Sequence, residues 1–182
     1  MPKINSIAIV GLGTLGSQIA KRLALTGFNL TLIDFDTIES RNIPIQTLYN
    51  KEDFGKSKVK IAEKKLKQLN PKLKIKVYDE RLTEKNLSLL NSDLVIECTD
   101  NLTTRFLIND YCRNKIPFIH TAAFKSLASF YIIKKNKPCL NCIYQSNLDI
   151  NDCRQSNINL KTAEALSSLV ISEIKKPENQ QE

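Results

Sequence analysis

Residues 7–17 read Ile-Ala-Ile-Val-Gly-Leu-Gly-Thr-Leu-Gly-Ser, an apolar run that ends in three glycines, Gly11, Gly13 and Gly16. The spacing G-x-G-x-x-G lets a backbone turn tightly, approach a phosphate closely and pack the following helix against its strand. The stretch therefore predicts the opening βα unit of a nucleotide-binding fold. It names neither the nucleotide nor the chemistry, and a glycine turn of purely structural purpose is the alternative.

Strands and helices alternate outward from this unit. A strand near 4–10 is followed by a helix over 14–26 with Leu15, Ile19 and Leu23 on one face and Gly27 as its stop. A strand over 30–33 ends at Asp34, and a polar loop leads to a lysine-rich helix that stops at Asn70-Pro71. Residues 74–78, a weak helix at 84–90, a strand at 94–96, a helix over 101–114 and a strand at 116–120 continue the rhythm. Repeated βα units imply a Rossmann-like, doubly wound α/β fold with a mostly parallel sheet. Residues 129–134 predict a short antiparallel extension, 138–159 reads as loop, and a C-terminal helix spans 161–176.

Composition sets outer limits. With 182 residues, 42% hydrophobic and 25% charged, the chain reads as a single domain over 1–176 with a polar tail at 177–182. No stretch approaches the roughly 20 apolar residues of a membrane span, and the first strand is too early and too short for a secretory signal, so the expected location is the cytoplasm. Much of the net charge of +8 lies between Lys56 and Lys76, where lysines alternate with Val59, Ala62, Leu66 and Leu69 at helical spacing. That pattern is a solvated helix face first and a binding patch second, and no nucleic-acid signature accompanies it.

Four positions gather where ligands bind such sheets, beyond the carboxyl ends of the strands. They are the glycine loop, Asp34 with Asp36, Asp100, and the His120-Thr121-Ala122 segment. Asp34 stands where an acid holds ribose hydroxyls, which suits NAD and ATP equally. Lys58, in the first turn of its helix, has the reach for a triphosphate. Asp100 is placed to hold magnesium, which prefers one or two carboxylates plus phosphate oxygens. A lysine and a magnesium carboxylate converging on a phosphate loop describe nucleotidyl or phosphoryl chemistry. Hydride transfer needs neither, which argues against an NAD-dependent oxidoreductase. Bland readings exist for each residue: Lys58 as one more surface lysine, Asp100-Asn101 as a helix cap, Arg105 as an ion-pair partner, and His120 as a strand-end residue rather than a catalyst.

The ordered segments GLGTLGS, DFDTIESRN…QTL, FGKSKV, LNP, ECTDNLTTR, PCLNC and AEALSSLVISEIKK resemble the ThiF/MoeB/HesA family, relatives of ubiquitin-activating enzymes. The resemblance implies an ATP-dependent adenylyltransferase, a homodimer or heterodimer, acting on the C-terminal glycine of a small ubiquitin-like sulfur carrier. It implies that Gly11, Gly13 and Gly16 shape the phosphate loop, Asp34 holds the ribose with Asp36 among the cofactor-binding residues, Asn42 and Lys58 contact phosphates, Asp100 holds magnesium, and Asn101 and Arg105 support the site. It also implies a thioester or persulfide role for Cys153, next to Arg154; an ordinary loop cysteine is the alternative.

Cys139 and Cys142 form half of a tetrahedral zinc site. Either zinc is absent, the favoured expectation, or Cys153, a partner subunit or other ligands complete it. Cys98 and Cys112 read as core residues. Two departures from the family pattern stand out. Ile45 occupies the place of an arginine that contacts ATP phosphates, with Arg41 the nearest substitute, and the strand starting near Ile4 leaves no room for a preceding helix whose arginine crosses a dimer. An alternative expectation is thus a catalytically incomplete nucleotide-binding subunit that needs a partner.

Overall fold

The structure, a computed structural model, describes residues 4–144 and 158–176. β1 (Ser6–Val10) sits inside the sheet because both its faces are apolar: Ile7 and Ile9 belong to one core cluster, Ala8 and Val10 to the other. Successive strand side chains point to opposite faces, so an unbroken apolar run is stable only where helices cover both. β2 (Asn29–Ile33) and β4 (Leu94–Glu97) flank β1; β3 (Ile75–Tyr78) lies beyond β2, and β5 (Phe118–Phe124) beyond β4. These five strands are parallel. β6 (Leu127–Ile133) closes the sheet as an antiparallel hairpin partner of β5, with Phe118 opposite Ile133 and Phe124 opposite Leu127.

α1 (Thr14–Leu23) and α2 (Lys58–Leu69) cover one face through Leu15, Ile19, Leu23, Val59, Ala62 and Leu66. α3 (Leu102–Cys112) and a 3₁₀ segment (Glu84–Leu90) cover the other. α4 (Leu140–Tyr144) adds its buried Leu140 to that second face, and α5 (Leu160–Ile174) adds Ala163, Leu166 and Val170 to the first. The strand order β3-β2-β1-β4-β5-β6 reverses direction between β1 and β4, and that crevice is where a doubly wound sheet opens for a ligand.

Several expected boundaries move. α1 stops at Leu23 instead of running to 26, because the Thr26 hydroxyl takes the Leu23 carbonyl at 2.6 Å and Gly27 turns the chain at φ +94°. The segment 138–159 is not all loop: α4 forms there because Leu140 is fully buried and its N–H donates to Asn109 Oδ1 at 2.9 Å. Leu69 does not join the apolar face of α2; at the last residue of the helix it is 44% exposed. β5 extends to Phe124 because β6 pairs with its whole length. No helix among the described residues is long and apolar enough to cross a membrane.

Candidate active site

At the crevice, the ends of β1, β2, β4 and β5 enclose a cavity of about 480 Å³ lined by Gly11, Gly13, Asp34, Asp36, Lys58, Asp100, Asn101 and Arg105, among others. The elements explain why. Gly11 has φ +89°, and a Cβ there would lie 2.8 Å from the Cys98 carbonyl, so the first glycine lets the loop pass against the end of β4. A Cβ on Gly16 would lie 1.9 Å from the Gly11 carbonyl, so the third lets α1 press onto the loop. Gly13 differs: nothing lies within 4 Å of its Cβ position. It caps α1 with no side-chain hydrogen bond, and no acidic residue follows in the first turn. The free amides and positive dipole end of α1 therefore meet open cavity, an arrangement that suits an anion.

Asp34 is buried, and its two oxygens accept the N–H of Leu12 at 2.5 Å and of Asp36 at 2.8 Å. Burial pushes its carboxyl above the usual range, opposed by Lys58 and by those two amides. The backbone bonds tie the glycine loop to the end of β2 and leave a lone pair on each oxygen for a ligand hydroxyl. Lys58, the first residue of α2, is 6% exposed, far from a surface lysine; its ammonium lies 2.8 Å from Asp36 Oδ2. Arg41 reaches the rim and pairs with exposed Glu39 at 2.5 Å, while Ile45 presents only hydrocarbon to the cavity. Asn42 belongs to the turn Ser40–Asn42, and its side chain lies outside the described residues.

Asp100 is exposed on the loop between β4 and α3, and Asn101 caps α3 by accepting the Thr104 N–H at 2.9 Å. Arg105 is buried beneath the loop, donating to the Thr99 carbonyl at 3.1 and 2.6 Å, with Glu97 Oε1 at 3.6 Å from its Nε. His120 corrects the expectation of a strand-end residue. It lies inside β5 at 0% exposure, because the strand continues beyond it, and its Nδ1 is 2.5 Å from Glu97 Oε2.

Sequence reasoning missed three features. Glu97 reads as the end of an apolar strand, yet it is fully buried at the centre of a polar cluster. Gln46 lines the cavity with its Oε1 buried and, among the described residues, without a hydrogen-bond partner. The Arg81 guanidinium stacks 3.9 Å from the centre of the Phe35 ring at the cavity wall. The polar residue at the end of a buried strand was the one available signal, for Glu97.

The cavity fits a nucleoside triphosphate: open amides at Gly13, a buried lysine and an orphaned buried Gln46 oxygen all meet in it. Asp100, exposed at the cavity, is a carboxylate of the kind that would hold magnesium beside phosphate oxygens. For zinc the described residues hold only the two cysteines of the C-x-x-C pair. Cys139 is buried and Cys142 exposed, and among the described residues no group of three or more metal-binding side chains includes them. Burial pushes the Cys139 thiol up, but hydrogen bonds from Cys142, Asn141 and Arg113 outweigh it and hold the thiol below its ordinary range. Cys98 is pushed up to about 12, by burial first and then by Glu97, so it is no nucleophile at neutral pH. Cys153 and Arg154 lie outside the described residues.

Known proteins resemble this chain in sequence and in fold. The chain is 35% identical over 147 residues to the molybdopterin-synthase adenylyltransferase of Escherichia coli (strain K12), covering 78% of this chain and 59% of that one. It is 36% identical over 148 residues to the adenylyltransferase and sulfurtransferase MOCS3 of Drosophila willistoni, covering 78% and 32%, and 30% identical over 144 residues to the SAMP-activating enzyme E1 of Haloferax volcanii, covering 77% and 53%. The chain thus spans between a third and three fifths of these relatives. A crystal structure of E. coli MccB with ATP superposes on 93% of this chain and 54% of MccB, with a TM-score of 0.79 at 21% identity, a likeness of fold. With the ThiF family model matching residues 3–177, from the strand before the glycine loop to the end of the last helix, this chain belongs to the ThiF family.

Proposed function

We propose that this chain is an ATP-dependent adenylyltransferase that activates the C-terminal glycine of a small ubiquitin-like or sulfur-carrier protein, in the cytoplasm, as a homodimer or heterodimer. The observation that carries the reading is the convergence of Lys58 and Asp100 on the cavity opened by Gly13. The named activities of the E. coli and Drosophila relatives support it. In the reaction, a carboxylate oxygen of the carrier attacks the α-phosphorus of ATP, the bond to the bridging oxygen breaks, and pyrophosphate carries away the electron pair. No proton transfer is needed, so this chain's work is positioning and charge neutralisation.

Each residue has a part in that work. The α1 amides and the Lys58 ammonium bind phosphate oxygens and stabilise the charge that moves onto the leaving group. Asp34 orients the ribose, with Asp36 keeping Lys58 in place. Asp100 would hold magnesium, which when bound shields the phosphates from one another and from the incoming carboxylate. Arg105 and Asn101 hold the Asp100 loop. Cys153 is the candidate for receiving the activated carboxyl as a thioester, and Arg41 for replacing the phosphate donor that Ile45 lacks.

A second reading, a nucleotide-binding subunit that needs a partner for catalysis, is favoured by one feature, the apolar Ile45 in the cavity wall. Exchange of labelled pyrophosphate into ATP, with purified protein and a carrier ending in Gly-Gly, separates the two. Carrier-dependent exchange by this chain alone supports the adenylyltransferase; magnesium-dependent ATP binding without exchange, restored by a second protein, supports the subunit. ATP binding that is indifferent to both Lys58→Met and Asp100→Asn defeats both.

A further inference from the structure

Behind the cavity wall, polar side chains form a hydrogen-bonded chain, fully buried at Glu97 and His120 and half-buried at Thr99 and Tyr144, that the proposed chemistry does not use. Glu97, the last residue of β4, has 0% exposure and splits its carboxylate between two tasks. Oε1 accepts the Thr99 N–H at 2.6 Å and the Thr99 hydroxyl at 2.7 Å. Oε2 lies 2.5 Å from His120 Nδ1. The other ring nitrogen, Nε2, lies 2.8 Å from the Tyr144 hydroxyl on α4. Tyr131 of β6 stacks on the imidazole with ring centres 6.3 Å apart.

Thr99 is consequently held on three sides: its N–H and hydroxyl by Glu97, and its carbonyl by Arg105. That carbonyl belongs to the peptide plane that leads into Asp100. The direction in which Asp100 leaves the strand end therefore depends on where Glu97 Oε1 sits, and a donor on Oε2 fixes the rotation of that carboxylate. A fully buried carboxylate oxygen left without one is costly, and the carboxylate would turn toward another donor or take a proton.

We propose that His120 is a positioning residue for the phosphate site: by donating from Nδ1 to Glu97 it locks the Thr99–Asp100 peptide, and Tyr144 keeps the proton on Nδ1 by giving its own hydroxyl hydrogen to Nε2. With Glu97 Oε2 as the acceptor, Nδ1 is the donor, and a ring that carries one hydrogen then offers Nε2 as the acceptor for the Tyr144 hydroxyl. The same logic governs a metal-binding histidine oriented by an outer carboxylate, with the order of the partners reversed. The inference rests on the proposed role of Asp100, but its first two tests do not depend on activity.

The chain has one histidine, so the ¹⁵N spectrum of its imidazole needs no assignment. The expected result is hydrogen on Nδ1 and none on Nε2; hydrogen on Nε2, with or without one on Nδ1, overturns the proposal. Amide exchange at Thr99 in the free protein should speed up by about tenfold or more in His120→Gln, whose amide reaches toward the Nε2 position, and return to the wild-type rate in His120→Asn, whose amide nitrogen replaces Nδ1. Unchanged exchange in His120→Gln, or equal loss in both variants, overturns it. In the ATP–pyrophosphate assay, His120→Gln should raise the half-saturating magnesium concentration and lower kcat while nucleotide affinity without magnesium stays constant, with His120→Asn rescuing both. Wild-type magnesium dependence in His120→Gln, where Asp100→Asn loses it, defeats the inference alone; wild-type behaviour of Asp100→Asn defeats the underlying role of Asp100, and the Thr99 exchange rates still decide the clamp.

Discussion

Replacing Lys58 by methionine separates a catalytic ammonium from a structural one, because its two expected effects differ greatly in size. On the structural side, the variant breaks a contact of 2.8 Å with Asp36, whose side chain is 47% exposed and can take water in exchange, and removes a charge that favours the buried Asp34 carboxylate, which keeps its two backbone donors. An ion pair with one wet partner is worth about 0–1 kcal/mol, and methionine refills the buried stem. For a chain of this size the melting temperature should fall by about 2–4 °C at most. On the catalytic side, an ammonium about 4 Å from a phosphate charge contributes about 4 kcal/mol at an effective dielectric constant of ~20. Loss of one preformed donor to a developing oxyanion costs about 3–4 kcal/mol, or roughly 10²–10³ in kcat. Carrier-dependent pyrophosphate exchange should therefore fall by roughly 10²–10³ with little change in thermal melting. Lys60→Met is the control: that lysine is on the same helix, 69% exposed and paired with Asp79, and neither quantity should move. Exchange by Lys58→Met within about threefold of wild type, in a folded protein, refutes the assignment, since it is far less than any phosphate contact would yield.

Other perturbations report on other parts of the site. Gly16→Ala places a methyl group 1.9 Å from the Gly11 carbonyl and should destabilise the fold by about 3 kcal/mol or more in a denaturant titration. Gly13→Ala meets no atom within 4 Å, so it should leave the unfolding midpoint nearly unchanged while weakening ATP binding measured by calorimetry. Arg41→Ala should lower exchange several-fold if Arg41 leaves Glu39 for the phosphates; full exchange would show that nothing replaces the donor missing at Ile45. Asp93 accepts from the Asn5 N–H at 2.9 Å and the Ser6 N–H at 2.8 Å, bonds that hold its carboxyl below the usual carboxylate range. The folded value being the lower one, the stabilisation is complete above about pH 4 and disappears as pH falls through the folded value. Asp93→Asn should accordingly melt below wild type at pH 7, with the two curves converging in acid.

The sequence by itself determined the layout. Repeated strand–helix units, a G-x-G-x-x-G loop after an apolar run, and acids at the strand ends follow from local rules of spacing and backbone freedom, and they brought Asp34, Lys58 and Asp100 to one crevice in advance. Glycine spacing is legible because a Cβ at Gly16 is forbidden by contacts only a few residues away. The tertiary structure decided what spacing cannot carry. Glu97 and His120 stand 23 residues apart, on neighbouring strands in register, and only that parallel pairing turns a strand-end acid and a solitary histidine into a buried couple. Lys58 gave no hint of burial among so many lysines; its place as the first residue of α2, against Asp36, removed it from water. Local residue pattern governs which elements form, whereas burial and partnership depend on groups that meet across the sheet, so the polar interior becomes visible only after the strands are assembled.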